Sequence, residues 1–337
     1  VYACGRASTG SNYELLLGKE EIPVEGPRNL NFYLAAINAD GTPSWIKAFS
    51  AFRRNFTSPS EAPKIVAAPD GGVTIISMVR YTLEFRNDTL AEVSASRAIA
   101  IIYVSPSGEV NDLQVIPSNL EDLDQVILAR NGDLLLSGRF RNGELRIGDQ
   151  SLRAGSTPAY FTARSYLAGR TIWASPISAE LKWRSVGGAY GLLETNDGNV
   201  VLSISPGGYN FSINGCAADP HFFSLASFSG ETGELNWQRE IATHGFGFIS
   251  DLAEAPNGDL YATGRYGGTL RAGNGETAET GNRDCDVESS FLLKLTPEGL
   301  VYDLVADLPR NFVVSGFNVF PDGTYALTGW SRRRAAV

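Results

Sequence analysis

The chain repeats one two-part pattern along its whole length, and this repeat limits the possible fold more than any other feature. The first part is an apolar segment, an Asn-Gly or Asp-Gly pair and a second apolar segment, as in QVILARNGDLLLSGRF and DLAEAPNGDLYATGRY. A glycine after Asn or Asp supplies the positive φ that a tight hairpin turn needs. Each copy therefore predicts two antiparallel strands joined by a short turn, which we expect to be of the primed type.

The second part begins with an aromatic or apolar strand, turns at a glycine and continues into another strand, as in FLLKLTPEGLVYDLVADL. The turn glycines recur every 61 to 67 residues, at Gly41, Gly108, Gly169, Gly233 and Gly299. A tryptophan stands four residues after the glycine in three copies, Trp45, Trp173 and Trp237, and we expect it to pack between neighbouring repeats. Shorter strand-like pieces lie between the two parts, at 14–18, 82–90, 144–152, 210–216 and 269–273.

Two hairpins per repeat and no sustained helical period predict an all-β chain. The predicted fold is a β-propeller of four-stranded blades with about 64 residues per repeat. The whole of 1–337 is then one domain, with complete blades at 64–116, 125–177, 186–241 and 249–306 and partial blades at 1–49 and 313–331. We expect six or more blades in the full ring. The alternative is five blades, with the terminal strands borrowed to close it.

The blades GDLYATGRYGGTL…FLLKLTPEGLVYDL and GDLLLSGRFRNGELRIGDQSL…YFTARSYLAGRTIW resemble the SBBP-type (seven-bladed β-propeller) repeat of bacteria. The resemblance covers essentially the whole chain. It implies a propeller that belongs to a secreted or surface protein, often as part of a longer chain. It implies no catalytic residues, because the family has no general catalytic motif.

The charge balance argues against nucleic acid as a partner. The chain has 28 Lys and Arg against 37 Asp and Glu, a net charge of −9, and it shows no basic stripe that could follow a phosphate backbone. No apolar run approaches the roughly 20 residues of a membrane-spanning helix. Cys216 and Cys285 occupy matching loops of consecutive repeats, so either they form a disulfide, which would indicate an oxidising compartment, or both are surface thiols.

Candidate ligand residues are few. Arg6, Arg139 and Arg265 share one repeat position, where their guanidinium groups either bind an anion or pair with neighbouring acids. His244 is expected on a loop that leads to an inner strand, where it could contact a ligand. No cofactor is expected, although the acidic loop with Asp284, Asp286 and Glu288 is a weak calcium candidate; the alternative is a solvated loop.

These features favour a non-enzymatic, exported binding or scaffold module with a protein or glycan partner at a propeller rim. The expected location is extracellular or at the cell surface, with the periplasm also open. The alternative is a propeller enzyme, either a lyase or hydrolase that uses loop carboxylates or a quinoprotein-like enzyme, because this fold hosts many activities.

Overall fold

The structure is a computed structural model that describes residues 1–8, 15–17, 20–22, 30–50, 63–68, 70–79, 82–85, 88–92, 97–140, 144–153, 159–166, 170–177, 188–205, 221–245, 247–279, 289–306 and 312–331. Within these ranges the chain forms strands, turns and short connections and contains no helix, which confirms the all-β prediction.

The strands of the first half of the chain are β1(Tyr2–Ser8), β2(Leu15–Leu17), β3(Glu20–Ile22), β4(Leu30–Ile37), β5(Pro43–Ser50), β6(Lys64–Ala67), β7(Val73–Val79), β8(Thr82–Phe85), β9(Asp88–Glu92), β10(Arg97–Val104), β11(Val110–Ser118), β12(Asp122–Leu128), β13(Leu134–Phe140), β14(Glu144–Ile147), β15(Gln150–Arg153), β16(Ala159–Ser165) and β17(Thr171–Ile177). Those of the second half are β18(Gly188–Glu194), β19(Val200–Ser205), β20(His221–Phe228), β21(Leu235–His244), β22(Gly247–Glu254), β23(Leu260–Tyr266), β24(Thr269–Arg271), β25(Thr277–Glu279), β26(Ser289–Leu295), β27(Val301–Val305), β28(Phe312–Val319) and β29(Tyr325–Ser331).

The chain divides into two compact units. Unit 1 comprises Val1–Ser156 and Ala163–Ala174, and unit 2 comprises Thr157–Thr162 and Ser175–Val337. The predictions of one domain and of a particular number of blades therefore remain predictions.

Four sheets contain the four-strand order that the repeat predicts. They are sheet 2 (β6-β7-β10-β11), sheet 3 (β12-β13-β16-β17), sheet 4 (β18-β19-β20-β21) and sheet 5 (β22-β23-β26-β27). Sheet 1 contains β1-β4-β5, while β2-β3 and β28-β29 are two-stranded. Every pairing whose register is described is antiparallel.

The β22–β23 turn differs from the primed type in a way that its sequence explains. In the β22–β23 turn, the Gly258 N–H donates to the Ala255 carbonyl (2.9 Å), and the Ala255 N–H donates to the Asp259 carbonyl (2.8 Å). Pro256 holds the first central position at negative φ, whereas a primed turn needs positive φ there. Only the glycine that follows the central pair is left-handed, at φ 87° for Gly258. This is the three-residue hairpin loop with a glycine bulge.

Three short hairpins are inserted in the chain between the second and third strands of a four-strand sheet. Each of these inserted hairpins pairs with the preceding sheet and not with the sheet whose strands flank it in the chain. The β8-β9 hairpin extends β5 of sheet 1, β14-β15 extends β11 of sheet 2, and β24-β25 extends β21 of sheet 4. In the last case Thr243 faces Leu270 in an antiparallel register. Each hairpin covers the last strand of the sheet, which would otherwise expose unpaired backbone groups at the sheet edge.

The core lies between consecutive sheets within each unit, so a strand such as β7, β13 or β19 is buried at every position. In unit 1, Leu34 and Phe49 of sheet 1 pack with Ile75 and Ile102 of sheet 2. In unit 2, the Phe223 ring of sheet 4 stacks on the Phe291 ring of sheet 5, with 5.6 Å between their centroids. Burial on both faces explains why apolar residues stand at adjacent positions in these strands instead of alternating with polar ones, as at 134–136 and 200–202.

Candidate functional site

A cleft of about 310 Å³ lies between sheet 4 and sheet 5 of unit 2. Its walls are the β18–β19 turn, the β22–β23 turn and Pro297 of the β26–β27 turn. Buried Val201 and Leu260 lie at its apolar base, and the rest of its lining is mainly amide, hydroxyl and carboxylate groups. Concave sites with an apolar base and a few fixed polar groups are the usual form of ligand sites.

The Asp197 carboxylate is held in place by its own turn. Its Oδ1 accepts hydrogen bonds from the Thr195 hydroxyl (2.5 Å) and the Asn199 N–H (3.2 Å), and its Oδ2 accepts one from Asn199 Nδ2 (2.6 Å). Burial opposes the ionised form, but these hydrogen bonds outweigh it and lower the pKa of Asp197 below its ordinary value. The cleft therefore presents a fixed negative charge at neutral pH.

A second carboxylate joins the two sheets. Glu254, the last residue of β22, accepts a hydrogen bond through Oε2 from the Asn196 N–H at 2.6 Å. This contact fixes the β18–β19 turn against the strand of the next sheet. A charge-assisted hydrogen bond of this kind is stronger than one between neutral groups.

The amide groups around Asp197 extend the network towards β21. Asn236 Nδ2 donates to Asn199 Oδ1 (3.1 Å) and approaches Ser227 Oγ (3.3 Å). The side chains of this wall therefore have defined orientations, which reduces the entropic cost of binding a ligand.

Sequence reasoning missed this cleft because its acids resemble ordinary turn residues. The signal that could have found it is the loop TNDGN (195–199), where Asn196 stands at the position that proline occupies as Pro256 and Pro321 in other turns. No periodic pattern indicates that Glu254, 57 residues after Asp197, lines the same cleft.

Of the three arginines predicted to share a site, the two whose side chains are described lie in different environments. Arg139, on β13, is buried and pairs with Asp122 and with Glu121 (Nε to Oε2 3.2 Å). Arg265, on β23, lies over the Phe248 ring at 4.9 Å from its centroid. Arg6 lies on β1 opposite Phe32, and its side chain is outside what the structure describes.

Of the other predicted site residues, only His244 lies among the described residues. His244 ends β21 opposite Thr269 of the β24-β25 hairpin, rather than lying on a loop. Cys216 and Cys285, and the calcium candidates Asp284, Asp286 and Glu288, lie outside the described residues. Among the residues that are described, no group of three or more His, Cys, Asp or Glu side chains could hold a metal ion.

Asp251 is a second feature that sequence reasoning missed. It follows a β-bulge at Ser250 in β22, and its Oδ1 accepts a hydrogen bond from the Leu252 N–H (2.9 Å). Burial raises the pKa of this carboxyl, although that hydrogen bond opposes the shift. A carboxyl with a raised pKa is a possible acid or base, whereas Asp197 is held as a carboxylate.

No protein-family model matches the chain, and no protein with a curated function matches it significantly in sequence. Among solved structures, a GDP-Man-dependent mannosyltransferase from Leishmania mexicana, MPT-1, is similar over 79% of this chain and 78% of its own, with 12% identity and a TM-score of 0.31. A similarity this distant supports no inference about function.

No helix long and apolar enough to cross a bilayer occurs in the part of the chain that the structure describes.

Proposed function

We propose that the chain is part of an exported β-propeller of the SBBP type and acts as a non-enzymatic binding module for a protein or glycan partner. The four-strand sheets, their order along the chain and the packing of consecutive sheets within each unit support the propeller. The resemblance of the blades to secreted bacterial repeats supports export.

The observation that carries the binding function is the cleft between the β18–β19 and β22–β23 turns. Turns on a fixed sheet frame are common positions for recognition residues. Asp197, Asn199 and Glu254 are already oriented by hydrogen bonds, so a ligand would meet a formed surface.

A panel of peptides and glycans presented to the immobilised chain tests this proposal. The variant Asn196→Trp fills the cleft from an exposed turn position, and Ala39→Trp makes the same change at the corresponding position of an exposed turn in unit 1. We expect at least one ligand that the wild type and Ala39→Trp bind and that Asn196→Trp binds at least tenfold more weakly. If no bound ligand distinguishes the two variants, the cleft is not the recognition site.

The enzymatic alternative rests on Asp251, because burial raises its pKa towards the range where general acids operate. A hydrolase or lyase activity that Asp251→Asn removes and Asn196→Trp retains would favour this alternative.

A further inference from the structure

The charged side chains that line the cleft of unit 2 are both acidic. Asp197 and Glu254 are carboxylates, and none of the described residues that line the cleft is Lys, Arg or His. The amide oxygens of Asn196, Asn199 and Asn257 belong to the same lining and are potential acceptors. Such a surface favours a ligand that is cationic and rich in hydrogen-bond donors.

We propose that this cleft binds a basic side chain, an arginine in particular, that a partner protein inserts. The inference rests on the proposed binding function and names the chemistry that the partner presents. The guanidinium group carries five N–H donors in a planar fork and forms strong bonds to carboxylates. An ammonium has only three donors around a point charge, so lysine is the weaker ligand.

The shape of the cleft fits the rest of such a side chain. A volume of about 310 Å³ lies at the lower end of the range for small-molecule sites, about 300–1,000 Å³. This volume suits one inserted side chain better than a larger folded element. Val201 and Leu260 at the base and Pro256 and Pro297 at the walls are apolar, as the methylene stem of arginine requires.

A neutral ligand is less suited to this lining. Binding removes water from the two carboxylates, and a neutral ligand compensates that cost only through its hydrogen bonds, whereas a cation also pairs with the charge. Hydrogen bonds from Thr195 and Asn199 outweigh burial and hold the pKa of Asp197 below its ordinary value, so the carboxylate stays charged in mildly acidic solution as well. A basic peptide is therefore favoured over a neutral glycan at the same position.

Fluorescence anisotropy with three labelled peptides of sequence Gly-Gly-X-Gly-Gly, where X is arginine, lysine or citrulline, tests the proposal. Citrulline keeps the shape of arginine and removes its charge. We expect arginine to bind at least tenfold more tightly than citrulline, and the affinity to fall as sodium chloride is raised. Equal affinity for arginine and citrulline would overturn the proposal.

Two conservative variants locate the binding charge. Asp197→Asn retains a residue type that the repeat uses at the same turn position in Asn131 and Asn257, and Glu254→Gln retains an acceptor for the Asn196 N–H. We expect each change to weaken the arginine peptide at least fivefold. Asp70→Asn, the same change in a turn of unit 1, should leave the affinity unchanged.

The outcomes separate this inference from the proposed function. If Asn196→Trp blocks a glycan or acidic ligand while the arginine peptide fails to bind, the cleft recognises another chemistry and this inference is overturned alone. Calcium binding that Asp197→Asn abolishes, measured by isothermal titration with calcium chloride, would also overturn it. If no ligand in the panel depends on Asn196, the proposed function fails together with the inference.

Discussion

The Trp237 indole of sheet 4 donates a hydrogen bond through Nε1 to the Pro297 carbonyl of sheet 5 at 3.0 Å. In unit 1, the Trp45 Nε1 of sheet 1 donates to the Pro106 carbonyl of sheet 2 at 2.8 Å. The repeat tryptophan therefore joins consecutive sheets in both units, which confirms the packing role predicted for these two residues.

The Trp237 indole packs directly against Gly299, so a side chain at position 299 would collide with the ring. A Cβ on Gly299 would lie 2.7 Å from the Trp237 ring, and its φ is +78°. Gly198 has a similar φ of +85° with nothing within 4 Å of an added Cβ. Alanine costs about 1–2 kcal/mol at either φ, and we expect Gly299→Ala to lose a further 1–3 kcal/mol or so from the steric conflict.

Urea unfolding of the two variants, compared with the wild type, measures this difference. Trp237→Phe keeps one aromatic ring but removes the N–H donor and part of the packing surface, so it should lower the unfolding free energy by at least about 1 kcal/mol. Equal losses for Gly299→Ala and Gly198→Ala would show that the indole does not pack tightly on Gly299.

The β24-β25 hairpin contributes a side chain to the core. Leu270 of the β24-β25 hairpin is fully buried, whereas Leu235 of β21 is 53% exposed. We expect Leu270→Ala to lower the unfolding free energy by about 2–5 kcal/mol and Leu235→Ala to change it by less than about 0.5 kcal/mol. A small effect of Leu270→Ala in chemical denaturation would mean that the hairpin is peripheral.

Acid should weaken the turns. The Thr42 hydroxyl and N–H lower the pKa of Asp40, and the Tyr103 hydroxyl and Gly72 N–H lower the pKa of Asp70. A folded-state pKa below the unfolded value of about 3.9 means that each carboxylate stabilises the fold above that pH. The stabilisation is lost as the pH falls through the folded-state pKa.

The double variant Asp40→Asn/Asp70→Asn should therefore lose less unfolding free energy between pH 6 and pH 3 than the wild type. Asn retains the acceptor that these turns use but does not titrate. Parallel pH profiles for the variant and the wild type would contradict the structural role of these carboxylates.

Asp251 should behave in the opposite way. Burial raises its pKa in the folded state, so the ionised form reduces stability as the pH rises above the unfolded value and through the folded one. We expect Asp251→Asn, which can still accept from the Leu252 N–H, to raise Tm at pH 7 and to change it less at pH 3. A lower Tm at pH 7 would show that the carboxylate itself stabilises β22.

The local structure was largely predictable from the sequence because local patterns determine it. Asn257-Gly258 and Asp197-Gly198 indicated hairpins, and the structure places turns at both. The turn type was wrong because the glycine alone was considered, while Pro256 already required negative φ at the preceding central position.

The long-range arrangement was less predictable. The 269–273 segment was recognised as a strand, but its pairing with the sheet before its own depends on backbone edges that no sequence period records. The cleft was missed for a similar reason, since Asp197 and Glu254 belong to different sheets and meet only through packing. Polar residues that also satisfy a turn give no separate signal of a site.

Hydrogen-exchange mass spectrometry of the full chain, with and without the tightest ligand from the peptide and glycan panel, tests the central claim most directly. The account predicts slower exchange on binding in peptides that cover 195–199 and 254–258, and no slowing there in Asn196→Trp. Protection centred on Asp251 and the first half of β22, with 195–199 unchanged, would contradict the claim that this cleft is the recognition site.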